Sequence, residues 1–478
     1  MVKICLVKIN YTLDHSQKIL PIGILSVGSA LKRAGFKVKL SNITEKQIEN
    51  FADEIVKLKP LYVGLSVMTG IQTRHSAELS KLIRKKDPSI KILWGGIHPS
   101  LLAKQCLGED YIDYVMIGEG EITSIEFAKA LGNSDDLSKV RGLGFKKDGK
   151  NIINEERDFI ENLDEQAIDW DLIDVNKYIY PLEGYKRVIA YKSSRGCPFD
   201  CGFCYNRNFN KNTWRTWSVE HVARDINFLK EKYKIDAVKF YDDNFFVKKE
   251  RALKILDKIN LPAHFEVRID AIDDELVKKL KEHKCFDLLI GVESGSDRVL
   301  KMLNKRINID DIIRAVKILA KYDLRATYST IVGVPTETKE EFEATIDLMY
   351  KLYKIHPKAV FTLGAYMPYP GSKLYDFCVE KGFRPPETTE GWGNIDRFRP
   401  DFKTPWADGK RVWRIREYFK FLKLKLGPIN KWFEWRIRHR FFALPFDIYL
   451  IEYLSGLGIE ERGFLGKFIR RVYKMLKK

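Results

Sequence analysis

The chain has 478 residues, 45 % of them hydrophobic and 12 % aromatic, with 83 Lys+Arg against 65 Asp+Glu. That balance is globular and excludes a disordered, collagen-like or coiled-coil chain, and at roughly 100–200 residues per domain the length calls for two or three domains. The net charge of +18 is uneven: residues 401–478 carry +11 and the first 400 carry +7, so the basic signal belongs to the C-terminal region.

The opening MVKICLVKI reads as a buried strand, with no signal peptide expected. From Val2 to about Ala130, short apolar runs alternate with amphipathic stretches. KICLVKI, KVKL from Lys37, YVGLS from Tyr62, KILWG from Lys91 and DYVMIG from Asp113 predict strands, and Ile24 to Arg33 predicts a helix closed by Gly35. This alternation predicts a parallel sheet covered on both faces, with its ligand beyond the carboxyl ends of the strands. The unusual residues gather there: Ser66, Met68 and Thr69 after the third strand, Gly95-Gly96-Ile97-His98-Pro99 after the fourth, and Gly118-Glu119-Gly120-Glu121 after the fifth. Glycines at such ends let the backbone approach a ligand closely. The fingerprint G-x-G-x-x-G is missing after the first strand, which speaks against a nicotinamide cofactor.

Residues of about 132–185 are polar and irregular and read as a connector with a small hairpin around Lys146 to Asn151. A second series follows: RVIAYKSS from Arg187, AVKFYDD from Ala237, HFEVRI from His264, LLIGVES from Leu288, ATYSTIVG from Ala326 and AVFTLGAY from Ala359, with helical patterns between. Six strand–helix repeats predict a barrel or partial barrel with its working residues at the strand C-termini.

Seven cysteines, an odd number, lie far apart except for Cys197, Cys201 and Cys204, which argues for a reducing, cytoplasmic compartment. Those three form C-x3-C-x2-C immediately after a predicted strand. Three soft thiolates on one tight loop suit an iron–sulfur cluster, and three ligands on a [4Fe–4S] cube leave one iron open for a chelating substrate or cofactor. A structural zinc site is the alternative, but zinc usually recruits a second cysteine pair downstream, and Cys5, Cys106, Cys285 and Cys378 are single.

The motif, followed by an aromatic at the end of the first strand of a (β/α)6 series, resembles the radical S-adenosylmethionine (SAM) enzymes. PIGILSVGSALKRAGFKV, GLSVMTG, ILWGGIHPS and IGEGE resemble the cobalamin (B12)-binding Rossmann-like domain that precedes the barrel in one branch of that family. The implied fold is α/β: a Rossmann-like cobalamin-binding domain at 1–131, a connector at 132–185, a radical SAM partial barrel at 186–395, and a basic, aromatic, helical region at 396–478. The resemblance implies that the open iron chelates SAM, whose reductive cleavage yields a 5′-deoxyadenosyl radical. It places Tyr205 and Asn206 near adenine. It makes Asp243 (with Asp242 and Asn244), Arg268, Glu293 and Ser294 candidates for the rest of SAM. Their residue chemistry, acceptors for an amino group or ribose and a fork for a carboxylate, agrees, although helix caps and surface pairs would use the same residues. Gly333-Val334-Pro335 and Pro368-Tyr369-Pro370-Gly371 resemble family segments but read most simply as turns.

For cobalamin the candidates are Gly95 and Gly96, with Ser66 and Thr69 as hydrogen-bonding partners and His98 beside them. The cobalt-ligating pattern D-x-H-x-x-G is absent, since Asp14 and His15 are adjacent, and His15 reads as a loop histidine. The implied reaction is methylation of an unactivated carbon, with one SAM serving as methyl source for the cobalamin and a second cleaved at the cluster. Cyclisation or oxidation, as by the anaerobic magnesium-protoporphyrin cyclase, would use the same parts. A non-catalytic iron–sulfur protein that binds nucleic acid is the competing class. A small-molecule or lipid-like substrate and a reducing donor of flavodoxin or ferredoxin type complete the expectation.

In the last region Val412, Ile415, Phe419 and Leu422 recur at helical spacing beside Arg411, Arg414, Lys420 and Lys423. Such a helix suits either an anionic membrane surface or a cap over the barrel. The apolar stretch from Phe441 to Ile459 carries Pro445, Asp447 and Glu452 and is expected not to span a bilayer.

Overall fold

The computed structural model describes residues 3–10, 20–395, 402–422, 428–443 and 447–448. Asp14 and His15, and most of the stretch from Phe441 to Ile459, lie outside them.

The five expected N-terminal strands form: β1 Lys3–Asn10, β2 Lys37–Thr44, β3 Val63–Ser66, β4 Ile92–Gly95 and β5 Tyr114–Met116. Successive side chains of a strand point to opposite faces, and β1 is apolar on both. Ile4 and Leu6 join a core with Leu31, Tyr62 and Phe127, while Cys5, Val7 and Ile9 join another with Phe51, Ile83 and Trp94. Pairs β1–β2, β1–β3, β3–β4 and β4–β5 are parallel. The hairpin expected in the connector forms as β6 Leu143–Lys147 and β7 Lys150–Ile153, and it extends this sheet with antiparallel pairing in the order β2-β1-β3-β4-β5-β6-β7. The order reverses between β1 and β3, so their carboxyl ends mark the crevice where such sheets bind ligands.

The second sheet contains β8 Tyr180–Leu182 and β9 Tyr185–Tyr191, and a separate two-stranded hairpin, β10 Ser194–Gly196 with β11 Trp214–Thr216, follows in the chain. Then come β12 Ala237–Phe240, β13 Ala263–Arg268, β14 Asp287–Glu293, β15 Ala326–Val332 and β16 Val360–Ala365. The seven-stranded order β16-β15-β14-β13-β12-β9-β8 is the expected half-barrel, with all six anticipated strands present. By packing, the chain falls into two units. One holds the first sheet, β9 to β12 and residues 368–395; the other holds β13 to β16 and the C-terminal helices.

In the second unit the helix Gly409–Leu422 buries Val412, Ile415, Phe419 and Leu422, with the Phe419 ring 5.9 Å from that of Phe361 on β16. The apolar stripe expected to meet a membrane or the barrel is therefore covered by protein. The helix Pro428–Arg438 is held by a buried pair, Arg436 to Asp447 at 2.6 Å, and leaves Trp432 and Trp435 exposed and stacked with centroids 5.1 Å apart. Among the described residues no helix is long and apolar enough to cross a membrane.

Candidate functional site: the cysteine loop and the strand ends

Cys197, Cys201 and Cys204 occupy the loop that leaves β10. Gly196 enters it at φ +78°, where a Cβ would run into the Thr213 carbonyl, so only glycine fits. The loop is closed by Cys204 N–H to the Cys201 carbonyl at 3.1 Å and by the Asn206 amide reaching the Cys197 carbonyl at 2.5 Å. The backbone N–H of Asn206 points at Cys204 Sγ, 3.5 Å away. These three cysteines form no disulfide and are half-buried, whereas Cys5, Cys106, Cys285 and Cys378 are buried. Burial pushes the Cys204 thiol up to about 12, and neighbouring negative charge at Cys201, Asp243 and Cys197 adds to the rise. Among the described residues no three His, Cys, Asp or Glu side chains converge on a single metal ion; three thiols on one loop are instead the kind of donor set that a larger iron–sulfur cube with one corner open takes.

The strand ends beside the loop are pinned by carboxylates. Asp242 is fully buried and accepts from the backbone N–H and hydroxyl of Ser193 and from the Ser194 hydroxyl. Asp243 accepts at Oδ2 from Lys192 Nζ and from the Gly196 N–H, each at 3.2 Å, which sets its carboxylate against the cysteine loop. Tyr205 opens the short helix Asn206–Phe209 with its ring edge-on to Phe209.

In the second unit, Arg268 closes β13, nearly buried, with its guanidinium on Asp270 at 2.9 Å and on the Lys305 carbonyl at 2.6 Å. Glu293 closes β14 after a register shift, in the left-handed region at φ +66°, a conformation that non-glycine residues adopt at an energetic cost. Its carboxylate meets Lys305 Nζ at 2.6 Å. Ser294 is fully buried and lies 3.3 Å from the Thr345 hydroxyl. Lys305 thus serves both Arg268 and Glu293. Sequence reasoning missed it because a lysine among Lys301, Lys305 and Arg306 looks like any solvated charge.

At the edge of the first sheet, the loops after β3, β4 and β5 are tied together. Val67 N–H reaches the Gly95 carbonyl at 2.8 Å, His98 N–H reaches the Val67 carbonyl at 3.1 Å, and Gly118 N–H reaches the Ser100 hydroxyl at 3.0 Å. Gly96 has φ +96° and leaves a Cβ only 3.0 Å from the Val67 carbonyl oxygen, whereas a Cβ on Gly95 would make ordinary contact with Met116 at 3.6 Å. Ser66 ends β3, and Met68 is the most exposed large apolar side chain described, at 45 %. Thr69 and His98 bind each other, hydroxyl to Nδ1 at 3.1 Å. His98 is fully buried under Trp392, and burial pushes its imidazole down to about 3, so it is neutral. It is therefore a core histidine bracing this edge, and its Nε2 has no partner. A tied, glycine-bearing edge with an apolar side chain standing proud of it fits a flat macrocycle lying across the loops.

A cavity of about 410 Å³ lies against β2, lined by Asn42, Gln47, Glu54, Asp174, Lys177 and Tyr178 among others, and none of the candidate site residues lines it.

Comparison with known proteins finds matches for both halves of the chain. Residues 191–349 match the radical SAM superfamily and residues 13–128 match the B12 binding domain. An uncharacterized methyltransferase of Pyrococcus horikoshii is 31 % identical over 370 residues, covering 75 % of this chain and 78 % of that protein. The anaerobic magnesium-protoporphyrin IX monomethyl ester cyclase of Synechocystis is 26 % identical over 379 residues, covering 76 % and 74 %. In fold, the structure of the radical SAM methyltransferase TsrM from Kitasatospora setae with cobalamin and a [4Fe–4S] cluster superposes with a TM-score of 0.68 at 16 % identity, covering 90 % of each chain. The chain is an enzyme of the radical SAM family, in the branch that carries a B12-binding domain and uses a [4Fe–4S] cluster, SAM and cobalamin.

Proposed function

We propose that the chain is a cobalamin-dependent radical SAM methyltransferase that methylates an unactivated carbon of a small-molecule substrate. The observation that carries this reading is that the cysteine loop and the B12-binding edge belong to one packed unit, joined by Arg195 on β10 to Glu119 and Glu121 after β5. In the domain layout we adopt, 1–131 holds cobalamin, 132–185 connects, 186–395 holds the cluster and SAM, and 396–478 is the basic region. When bound, the cluster and SAM supply a carbon-centred oxidant, and cobalamin supplies the methyl group. Cys197, Cys201 and Cys204 hold the cluster. Asp243, its carboxylate fixed by Lys192 and Gly196, takes the SAM amino group. Tyr205 borders the adenine, and Arg268, Glu293 and Ser294 bind the rest of SAM. Gly95 and Gly96 let the macrocycle approach, Ser66 and Thr69 face it with hydroxyls, and His98 braces Thr69 from behind.

The test is anaerobic protein loaded with iron, sulfide and cobalamin, given SAM and a strong reductant such as a flavodoxin system. Formation of both S-adenosylhomocysteine and 5′-deoxyadenosine supports methyl transfer. The nucleoside alone, with cobalt bound, turns the reading to oxidation or to cyclisation, the latter being the activity for which the Synechocystis relative is named. Neither product, together with salt-dependent polyanion binding, leaves a non-catalytic iron–sulfur protein. The exposed pair Trp432 and Trp435, beside Lys431 and Arg438, is the surface we assign to an anionic membrane; flotation of the full chain with anionic vesicles checks it, and a protein that stays at the bottom of the gradient removes it.

A further inference from the structure

The carboxylates of Glu119 and Glu121 stand at the start of the helix Gly120–Asn133, in the motif Gly118-Glu119-Gly120-Glu121 that looked like a ligand loop from sequence. In the structure both turn to one arginine. Arg195 places Nη1 2.6 Å from Glu119 and Nη2 2.6 Å from Glu121, with the ring of Trp217 at 5.2 Å from its guanidinium carbon. Ser26, on the helix Ile22–Arg33, donates to Glu121 at 2.6 Å. Arg215, on β11, meets the other oxygen of Glu119 at 2.9 Å and the Ile160 carbonyl at 2.7 Å, while Ile160 N–H reaches Glu119 at 2.8 Å. Two arginines and two glutamates are thus nearly buried together, with side-chain exposures of 16, 13, 10 and 5 % for Arg195, Arg215, Glu119 and Glu121.

Desolvating four charges contributes little net stability compared with apolar packing, but breaking such a set is costly and its geometry is narrow. Only a planar fork satisfies two carboxylates at once, each along a fixed direction. The fork here sits on β10 two residues before Cys197, and its partner Arg215 sits on the paired strand β11, so both strands that carry the cysteine loop are anchored to the end of β5.

We infer that Arg195 is a positioning residue, fixing the separation and angle between the cysteine loop and the cobalamin-binding edge through Glu119 and Glu121. The inference rests on the functional reading above for the presence of both cofactors. A methyl donor and a substrate radical must meet at a defined distance, and misplacement of about 1 Å costs on the order of a hundredfold in rate. The chain therefore fixes this spacing with directional ion pairs, where apolar contact would allow it to slide.

The experiment uses full-length protein loaded with cluster and cobalamin. Cob(II)alamin and the reduced cluster each carry an unpaired electron, so the cluster speeds relaxation of the cob(II)alamin EPR signal in a way that falls steeply with distance. Arg195→Lys keeps the charge but offers one ammonium in place of a fork, and it is expected to retain iron and cobalt while losing the enhancement. Glu121→Gln keeps the shape and removes one leg, and it is expected to lose part of the enhancement, which supplies the reading if the lysine variant fails to load. Wild-type enhancement in both variants overturns the inference while leaving the functional reading intact. A wild-type chain that takes up no cobalamin overturns the functional reading itself.

Discussion

Glu293 and Lys305 meet at 2.6 Å, carboxylate to ammonium, with both side chains buried, and the carbonyl of the same lysine receives the Arg268 guanidinium at 2.6 Å. One lysine therefore holds the last residues of β13 and β14 in place, including a glutamate in the left-handed region. Removing one partner of a buried pair strands the other charge, which costs about 3–5 kcal/mol. Lys305→Met is expected to lower unfolding stability by that order, and Lys305→Met combined with Glu293→Gln should recover part of it. Urea unfolding of the single and double variants measures both, and an unchanged midpoint in Lys305→Met would show that Glu293 does not depend on this lysine.

The two glycines after β4 are adjacent in sequence but unequal in the structure. Gly96 has φ +96° and a Cβ site 3.0 Å from a backbone oxygen, and a residue forced into that region costs about 1–3 kcal/mol. Gly96→Ala is expected to lose roughly that much stability and most of its cobalt. Gly95→Ala, with 3.6 Å of room, should stay within about 0.5 kcal/mol of the parent. Cobalt per chain and the unfolding midpoint decide between them.

This pair also shows where sequence reasoning stops. Strands such as KICLVKI and the helix closed by Gly35, at φ +91°, were legible because apolar period and capping residues are local signals. The cysteine spacing was legible because three ligands on one loop need no distant partner. Gly95 could not be told from Gly96, because the difference lies in contact with Val67, 29 residues earlier. Glu119 and Glu121 read as a ligand loop because their partner Arg195 lies more than 70 residues onward. His98 read as a cofactor neighbour, and only the burial beneath Trp392, nearly 300 residues later, shows it facing the core. The basic helix suits a membrane face or a cap over the barrel equally from its local pattern, and only Phe361 on β16, outside any local window, shows what its apolar stripe covers.

The division of the cysteines into two classes is directly testable. Cys201→Ala removes a half-buried thiol of the loop and should abolish bound iron and the 5′-deoxyadenosine formed from SAM. Cys285→Ala removes a buried thiol that points at the Asp287 carbonyl, 3.7 Å away, and should retain iron in full with a modest loss of stability. Iron and sulfide analysis of the two purified variants reads this out, and equal iron in both would mean that the loop does not hold the cluster.

Glu337, four residues after Gly333, supplies a pH dependence. Its Oε2 accepts from the Gly333 N–H at 2.5 Å, and its Oε1 is buried without a partner. Burial raises its carboxyl from 4.5 to about 7; the N–H groups of Gly333 and Val334 oppose the rise, Glu341 adds to it and Arg298 opposes it. Glu341 titrates well below this window, at about 2, chiefly because Arg298 binds it. The folded chain therefore keeps the Glu337 proton where the unfolded chain has already lost it. The contribution to stability is complete below pH 4.5 and is lost as pH rises toward 7. Discounted for its partial exposure, the loss is about 2 kcal/mol. Glu337→Gln carries a permanent N–H in place of the proton, so it should match the parent near pH 5 and exceed it by about 2 kcal/mol near pH 8. Denaturant unfolding of both proteins across this range measures the difference, and parallel curves would mean that Glu337 ionises as an ordinary surface carboxylate.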